Sequence, residues 1–401
     1  MGPEEREKRP AGEPERLVVP YLEGEGVGPE IMAGTRRLLD EAVRRCYRGR
    51  RLLQWLELPG EQIRTLAAGS SLPQEMIDTL RAHRVALKGP LATPVGGGHR
   101  SWNVELRQRL ELYCCLRPAR SRAAGSLLCR QVDIDLAVFR ETTEDVYCGI
   151  EFAADSEAAR QIRALAGVGL SADSAVGLKV MSRTASQRFF RRVLRWSRQQ
   201  RRRRVTIVHK GNIMKQTEGG FLRWCRQVLE EPEFAADFRF TERGDGSDGS
   251  SIMVDQRLAD AMFQQLLTRP DEYDVLAAPN LNGDYLAEAA GALAGGLALQ
   301  PSANLGDERA LFEPAHGTAP HLAGSDRANP AAMILAGCML LDFAGWPEAA
   351  GALRRALDTT LAAGTGTPDL ARAWQRAGRP AREVGTGEFV ETVAGRLLEE
   401  A

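Results

Sequence analysis

The sequence predicts an α/β protein, and three observations carry that reading. Short apolar runs such as LVVPYL at 17–22, VAL at 85–87 and VTIV at 205–208 have the length and residue types of buried strands. Longer stretches with apolar residues at helical period alternate with them from one end of the chain to the other, which points to layers of both kinds. The joints are rich in glycine and proline, beginning with EGEGVGPE at 23–30.

Taken in order, the strand 17–22 leads through that glycine turn into a helix from 31 to about 46. A strand at 85–87 ends in KGPLATPVGGG, and 101–110 reads as helix. Residues 127–149 alternate strongly and read as sheet. An arginine-rich helix at 187–199 and the run RRRR at 201–204 precede the strand VTIVHK. GNIMKQTEGGFLRWCRQVL reads as loop, then helix. A polar loop at 241–251 is followed by a helix at 254–267, a strand at 273–277, the loop APNLNGDY and a small-residue helix at 285–299. Residues 301–330 read as a long, motif-dense loop. Helices fill 331–400, with a turn near 364–368. No repeat of solenoid period is present.

The chain has 401 residues, enough for two or three structural units. Lys+Arg and Asp+Glu are both 53, so the formal net charge is zero, which argues against a large polyanion-binding surface. Ten arginines fall within 183–204. With no recognised binding motif they read as a solvated helix face and a charged turn, and no nucleic-acid partner is expected. Only five lysines occur, at 8, 88, 179, 210 and 215, against 48 arginines. The seven cysteines are scattered and form no CxxC pair, as expected of free thiols in a reducing compartment. The polar opening MGPEEREKRPAGEPER has no apolar core of a secretory signal and reads as a frayed tail. No run approaches the roughly 18 apolar residues of a membrane span. A cytoplasmic protein with no membrane partner is the expectation.

Five segments set charged groups beside glycines. In KGPLATPVGGGHRSWNVELR, Ser101, Asn103 and Arg107 lie at a helix start, either as a small-anion site or as a cap with a surface arginine. Arg117 and Arg140, in LRP and FRETTEDVYCG, could complete a cationic pocket. Tyr147, on the same strand-like segment as Arg140, reads first as a core or edge residue. Lys210 directly follows an apolar strand; desolvation and neighbouring cations there would lower its pKa, or it simply reaches water. Asp284 and Glu288 are four apart on a helical segment and so share a face, either to hold a cation or as solvent-facing acids. With Asp260, an all-oxygen set of this kind suits Mg²⁺ or Mn²⁺. NLGDERALFEPAHGTAPHLAG at 304–324, then Asn329, suits a loop around a phosphate or ring. It is not a Rossmann fingerprint, and no Walker motif occurs.

Together, KGPLATPVGGGHRSWNVELR, CLRP, RETTEDVYCGIE, VHKGNIMKQTEGGF, QRLADAMFQQLLTRPDEYDV, NLNGDY and FEPAHGTAP resemble the isocitrate/isopropylmalate dehydrogenase family. The likeness spans about residues 17–400 and is strongest to bacterial NADP-dependent homodimeric isocitrate dehydrogenases. It implies two domains and not a classical Rossmann fold. A large α/β domain would comprise 1–112 and 295–401, and a small domain 113–294, with a dimer-forming clasp near 145–186. It further implies a cleft active site built from both subunits of a homodimer.

By the same resemblance, Ser101 and Asn103 contact the γ-carboxylate of isocitrate, and Arg107, Arg117 and Arg140 clamp the other carboxylates. Lys88 lies close to substrate and nicotinamide. Asp284 and Glu288, with Asp260 of the partner subunit, hold Mg²⁺ or Mn²⁺. Lys210, also from the partner, takes the hydroxyl proton, and Tyr147 protonates the product enol. Thr93 and the segment His316, Gly317, Thr318, His321 and Asn329 line the coenzyme. Arg269 and Arg372 match arginines that reach the 2′-phosphate of NADP.

Three departures from the family pattern stand out. Glu288 stands where aspartate is usual. His321-Leu322 and Pro368 replace a Lys-Tyr pair and a tyrosine of NADP enzymes. Glu25 stands where aspartate is usual. No aspartate is available at 321 to accept from the adenosine ribose, so NADP is the expected coenzyme, with NAD the alternative.

Overall fold

Parallel strands bury both faces, so they read as unbroken apolar runs and need helices above and below them. A computed structural model of the chain, which describes residues 15–60, 70–93, 101–121, 134–242 and 251–399, has this organisation in each of two compact units. The expected tail up to residue 14, the glycines of 94–100, part of the expected sheet at 127–133 and the polar loop at 243–250 lie outside the described residues.

One unit comprises Met1–Leu106, Ser121–Gln131 and Gly291–Ala401. Its strands run in the order Arg51–Glu57, Glu15–Leu22, Val85–Lys88, Ala310–Pro314, Pro301–Leu305. The first four are parallel and the last is antiparallel to its neighbour. The helix Gly28–Tyr47 opens on proline and closes on Arg48 in the left-handed conformation. It packs against the helices Ala331–Phe343, Pro347–Ala362 and Thr386–Glu399. AAMILAGCMLLDF at 331–343 is apolar all round and nearly all buried, as a helix enclosed on every side must be.

The other unit comprises Arg107–Arg120 and Val132–Ala290. Its order is Cys114–Arg120, Asp135–Glu141, Val275–Ala278, Arg204–His209, Ile252–Leu258, Phe238–Phe240. Only the first pair is antiparallel. The helix Arg183–Gln199 buries Phe189, Phe190, Val193 and Leu194 beneath this sheet, and Trp196 meets Phe139 edge-on at 5.1 Å. Its arginines pair with carboxylates: Arg191 with Glu231, Arg195 with Glu233, and Arg198 with Asp237. Exposed pairs of this kind add little stability, but they account for the charge.

Four expectations are corrected. Residues 252–258 are a strand, and the helix begins only at Ala259. IMVDQRL pairs in register with 204–209, and that pairing overrides the apparent helical period. Tyr147 is not on a strand: the strand ends at Glu141, and Val146–Cys148 form a 3₁₀ turn. The small-residue helix is Asn280–Leu293, with 297–299 as a separate turn. Residues 301–314 are not loop but an antiparallel pair of strands.

The ends of the parallel strands matter most. Arg140 is the penultimate residue of its strand, Lys210 directly follows another, Asp260 lies two residues beyond a third, and Asn280 opens the helix after a fourth. Carboxyl ends of parallel strands are where α/β proteins collect chemistry. In the first unit, Lys88 ends its strand and His316 follows another by two residues.

Phe139 is fully buried between sheet and helix. Phe139→Ala is expected to lower unfolding free energy by about 3–5 kcal/mol, read as a lower urea midpoint; Phe139→Leu should recover most of the loss.

Candidate active site

Arg140 organises the largest cluster. It is 2% exposed, and Nε donates to Asn280 Oδ1 at 2.8 Å. One terminal nitrogen pairs with Asp284, and the guanidinium carbon lies 4.5 Å from the centre of the Tyr147 ring. Tyr147 Oη donates to the other Asp284 oxygen at 2.6 Å. Arg117 completes the group, with Nη1 at 2.6 Å from Glu288 and 3.9 Å from Asp284. Asp284 and Glu288 thus share a helix face as their spacing predicts, but they face arginine rather than open solvent.

Burial raises the Tyr147 phenol. Arg140 opposes that, while the hydrogen bond and charge of Asp284 reinforce it, and the group is pushed up to about 12. At neutral pH this tyrosine holds its proton. Arg107 is 7% exposed, so it is not the surface arginine of the bland reading, and its charge is felt at Tyr147.

Lys210 and Asp260 form a second cluster, an ion pair of 2.7 Å at adjoining strand ends. The neighbour of Lys210 is therefore a carboxylate, not the cation expected from the sequence. Among the described residues no three His, Cys, Asp or Glu side chains gather into a metal-holding group. Asp260 does not join Asp284 and Glu288 within one chain.

In the first unit Ser101 precedes the helix Trp102–Arg109 and its Oγ accepts from Thr93 Oγ1 at 3.0 Å. Asn103 Nδ2 approaches the Leu91 carbonyl at 3.4 Å, and its buried Oδ1 has no protein donor. Lys88 is 2% exposed and pairs with Glu313 at 2.6 Å. His316 Nδ1 lies 2.9 Å from the Gly317 carbonyl, so it carries the proton there and Nε2 is left as a buried acceptor with no protein donor. Burial lowers the His316 pKa against the Gly317 and Asp369 contacts, helped by Lys88.

The turn at 23–28 fits no phosphate cradle. Gly26 has φ +60°, and a Cβ there would sit 1.9 Å from the Thr318 carbonyl oxygen, which accepts from Val27 N–H. Asn329 spends its side chain on Asp369 and Ala331 N–H. His321 is exposed on a 3₁₀ turn. Arg269 and Arg372 are half-exposed, with acids at 3.5 and 4.0 Å.

A family model described as isocitrate/isopropylmalate dehydrogenase matches residues 18–393. The chain belongs to the isocitrate/isopropylmalate dehydrogenase family. A relative from Archaeoglobus fulgidus named isocitrate dehydrogenase [NADP] is 41% identical over 394 residues, covering 96% of this chain and 93% of its own. One of the same name from Caldococcus noboribetus is 42% identical, covering 90% and 86%. The crystal structure of isocitrate dehydrogenase from Methylococcus capsulatus superposes with a TM-score of 0.77 at 33% identity, covering 95% of this chain and 99% of that one.

Within this dehydrogenase fold, several supporting residues escaped the sequence reading. Asp145, Lys179, Glu218, Asn280 and Asn282 interlock behind Tyr147 and Lys210. Four of them lie inside the motifs RETTEDVY, TEGG and NLNGDY, and the fifth is one of only five lysines. His209 is another. Its Nδ1 accepts from Gly211 N–H at 3.0 Å, so Nε2 donates to Gln256 Oε1 at 2.8 Å, and the neutral ring braces the Lys210 loop.

Burial lowers the His209 pKa below the ordinary imidazole value. The unfolded chain therefore takes up a proton first as pH falls below about 6.5. The stabilisation from His209 is complete above that pH and is lost as pH drops through the folded pKa. In urea unfolding at pH 8 and pH 5.5, the parent should lose more stability on acidification than His209→Gln.

Proposed function

We propose that this chain oxidatively decarboxylates isocitrate to 2-oxoglutarate and CO₂, passing a hydride to NADP⁺. The observation that carries the reading is the cluster of Arg117, Arg140, Tyr147, Asp284 and Glu288. It combines guanidinium forks for carboxylates, a two-oxygen-donor helix face and a tyrosine protonated at neutral pH. The names of relatives at about 40% identity over nearly the whole chain support it.

Asp284 and Glu288 fit a hard divalent cation, because the donors are all carboxylate oxygens one helical turn apart. Asp260 of the partner subunit would complete the set. Bound there, Mg²⁺ or Mn²⁺ supplies Lewis acidity toward the substrate hydroxyl and the developing enolate. NADP⁺ supplies the hydride acceptor. Its adenosine side fits the buried acceptor His316 Nε2, open space around Gly317, and the neighbouring Thr93, Thr318, His321 and Asn329. Arg269 and Arg372 offer the cations a 2′-phosphate requires.

The chain's own residues do the remainder. Ser101 and Asn103 take the γ-carboxylate, to which Ser101 Oγ–H and Asn103 Nδ2 can donate. Arg107, Arg117 and Arg140 orient the other carboxylates. Lys88 carries positive charge beside substrate and nicotinamide. Lys210 of the partner subunit accepts the hydroxyl proton as the C2 hydride leaves. The resulting β-keto acid loses CO₂, and Tyr147 Oη delivers a proton to the enol carbon.

A homodimer is part of this reading. Val146, Ile150, Leu165, Val168, Leu170, Leu178 and Val180 are exposed, half of the exposed large hydrophobics among the described residues. All lie at 145–186, around the small ribbon Glu151–Phe152 with Val176–Gly177. Such a patch on a soluble surface calls for a partner. No described helix is long and apolar enough to cross a membrane.

Two measurements test the reading. Absorbance at 340 nm with isocitrate and Mg²⁺ or Mn²⁺ should show higher kcat/KM with NADP⁺ than with NAD⁺. Arg269→Ala/Arg372→Ala should raise KM for NADP⁺ about 10–100-fold, as loss of charged hydrogen bonds does, and leave NAD⁺ use little changed. Higher kcat/KM with NAD⁺ would reverse the coenzyme assignment. Light scattering should give a dimer mass, and Leu165→Asp/Val168→Asp should shift the population toward monomer with parallel loss of turnover.

A further inference from the structure

We propose that Lys179 is a positioning residue whose ammonium, bridging the buried carboxylates of Asp145 and Glu218, holds the Tyr147 turn and the Lys210 loop in their working positions. The inference rests on the roles proposed above for Tyr147 and Lys210.

Lys179 Nζ lies 2.7 Å from Asp145 Oδ1 and 2.8 Å from Glu218 Oε1. Both carboxylates are essentially without solvent exposure, so they depend on protein cations and donors. Burial alone would depress the lysine, but hydrogen bonds to Asp145 and Glu218 outweigh it and hold Lys179 above the ordinary lysine value.

Each carboxylate then braces an element that carries chemistry. Asp145 Oδ1 also accepts from Val146 N–H at 2.8 Å and so starts the 3₁₀ turn bearing Tyr147. Its Oδ2 accepts from Leu281 N–H at 3.0 Å, in the first turn of the helix that bears Asp284. Asp145 adopts φ +69°, ψ −157°, a backbone region that is costly for any residue with a Cβ. Its hydrogen bonds and its bridge to Val180 hold it there. Glu218 Oε2 accepts from Lys210 N–H and from Asn282 Nδ2, the latter at 2.8 Å. One ammonium thus joins the Tyr147 turn, the start of the Asp284 helix and the Lys210 loop.

The geometry also explains why lysine stands here in a chain otherwise given to arginine. A compact ammonium with three rotatable donors fits between two buried carboxylates that approach it from different directions. With Lys210 serving the partner's site, each Lys179 supports half of two sites.

The test compares the full-length parent with Lys179→Met and Lys179→Arg. Turnover of isocitrate with NADP⁺ is measured alongside deuterium incorporation at C3 of 2-oxoglutarate in D₂O with Mn²⁺ and NADPH, the reverse of the Tyr147 protonation. Amide hydrogen exchange is read at 146–148, 210–213 and, as control, 189–194. For Lys179→Met, kcat should fall about 10–100-fold, the usual range for loss of a supporting partner, with KM for isocitrate nearly unchanged. C3 exchange should slow in parallel, and amides at 146–148 and 210–213 should exchange faster while the control stays protected. Lys179→Arg should move the same way by less, and it carries the comparison if Lys179→Met does not fold. Rates and local protection within twofold of the parent would overturn the proposal. So would lost activity with unchanged protection at both segments. A parent without isocitrate turnover would instead sink the proposed function, and the amide-exchange comparison would still decide the role of Lys179.

Discussion

Arg140 is a full positive charge at 2% exposure, and such a charge is tolerable only if the protein supplies its hydrogen bonds. Asn280 takes Nε and Asp284 takes Nη1 from one helix, the Tyr147 ring covers one face, and Nη2 has no partner among the described residues. That demand fixes much of the geometry around it. The strand Asp135–Glu141 must end where the helix Asn280–Leu293 begins, and they do so because Asp135–Glu141 pairs in parallel with Val275–Ala278, two residues before that helix. Asn280 also donates to the Glu144 carbonyl, which ties down the chain between Arg140 and Tyr147. Strand order, helix start and tyrosine placement answer to the same buried guanidinium.

Cation chemistry follows the partners along the chain. Arginine meets carboxylates both on the surface helix Arg183–Gln199 and in the cluster around Asp284, where Arg117 faces Glu288 and Asp284 together. Three of the five lysines, Lys88, Lys179 and Lys210, sit at or behind strand ends in contact with carboxylates. Arginine cannot give up a proton in a protein and lysine can, which suits the role proposed for Lys210. At Lys179 the same preference has a steric origin instead. Residue type alone therefore does not tell a base from a brace; the partners do.

The cluster was legible in sequence where function imposes local spacing. Asp284 and Glu288 share a face because four residues make one helical turn, and Lys210 ends a run too apolar to be anything but a buried strand. Tyr147 was misread because Val146, Tyr147 and Cys148 are strand-prone residue types that follow the polar run 142–145. They form a 3₁₀ turn instead, opened by Asp145 at positive φ, which pairs with Lys179 thirty-four residues away. The strand Ile252–Leu258 was misread as helix for a related reason. Its period is ambiguous in isolation and is decided by pairing with Arg204–His209, forty-odd residues earlier. The first two misses involve contacts distant in sequence, which periodicity cannot carry. The antiparallel strands at 301–314 pair locally and were hidden by Gly306, Asp307 and Glu308 of their turn.

Glu288, the departure from the family's usual aspartate, bears on how the cluster can react. Its extra methylene adds about 1.5 Å of reach, and the carboxylate uses it to meet Arg117 at 2.6 Å, while Asp284 lies 3.9 Å from the same nitrogen. With Arg140 on Asp284, the two acids and two arginines balance pairwise. In the proposed reaction, Asp284 and Glu288 must turn from arginine to a divalent cation, and Arg117 and Arg140 from acid to substrate carboxylate. Neither exchange is favourable alone, since each would leave like charges uncompensated, and Arg140 is buried and Arg117 nearly so. Made together, they conserve the charge balance throughout. In the proposed reaction the acid–arginine pairs would therefore couple cation binding to substrate binding.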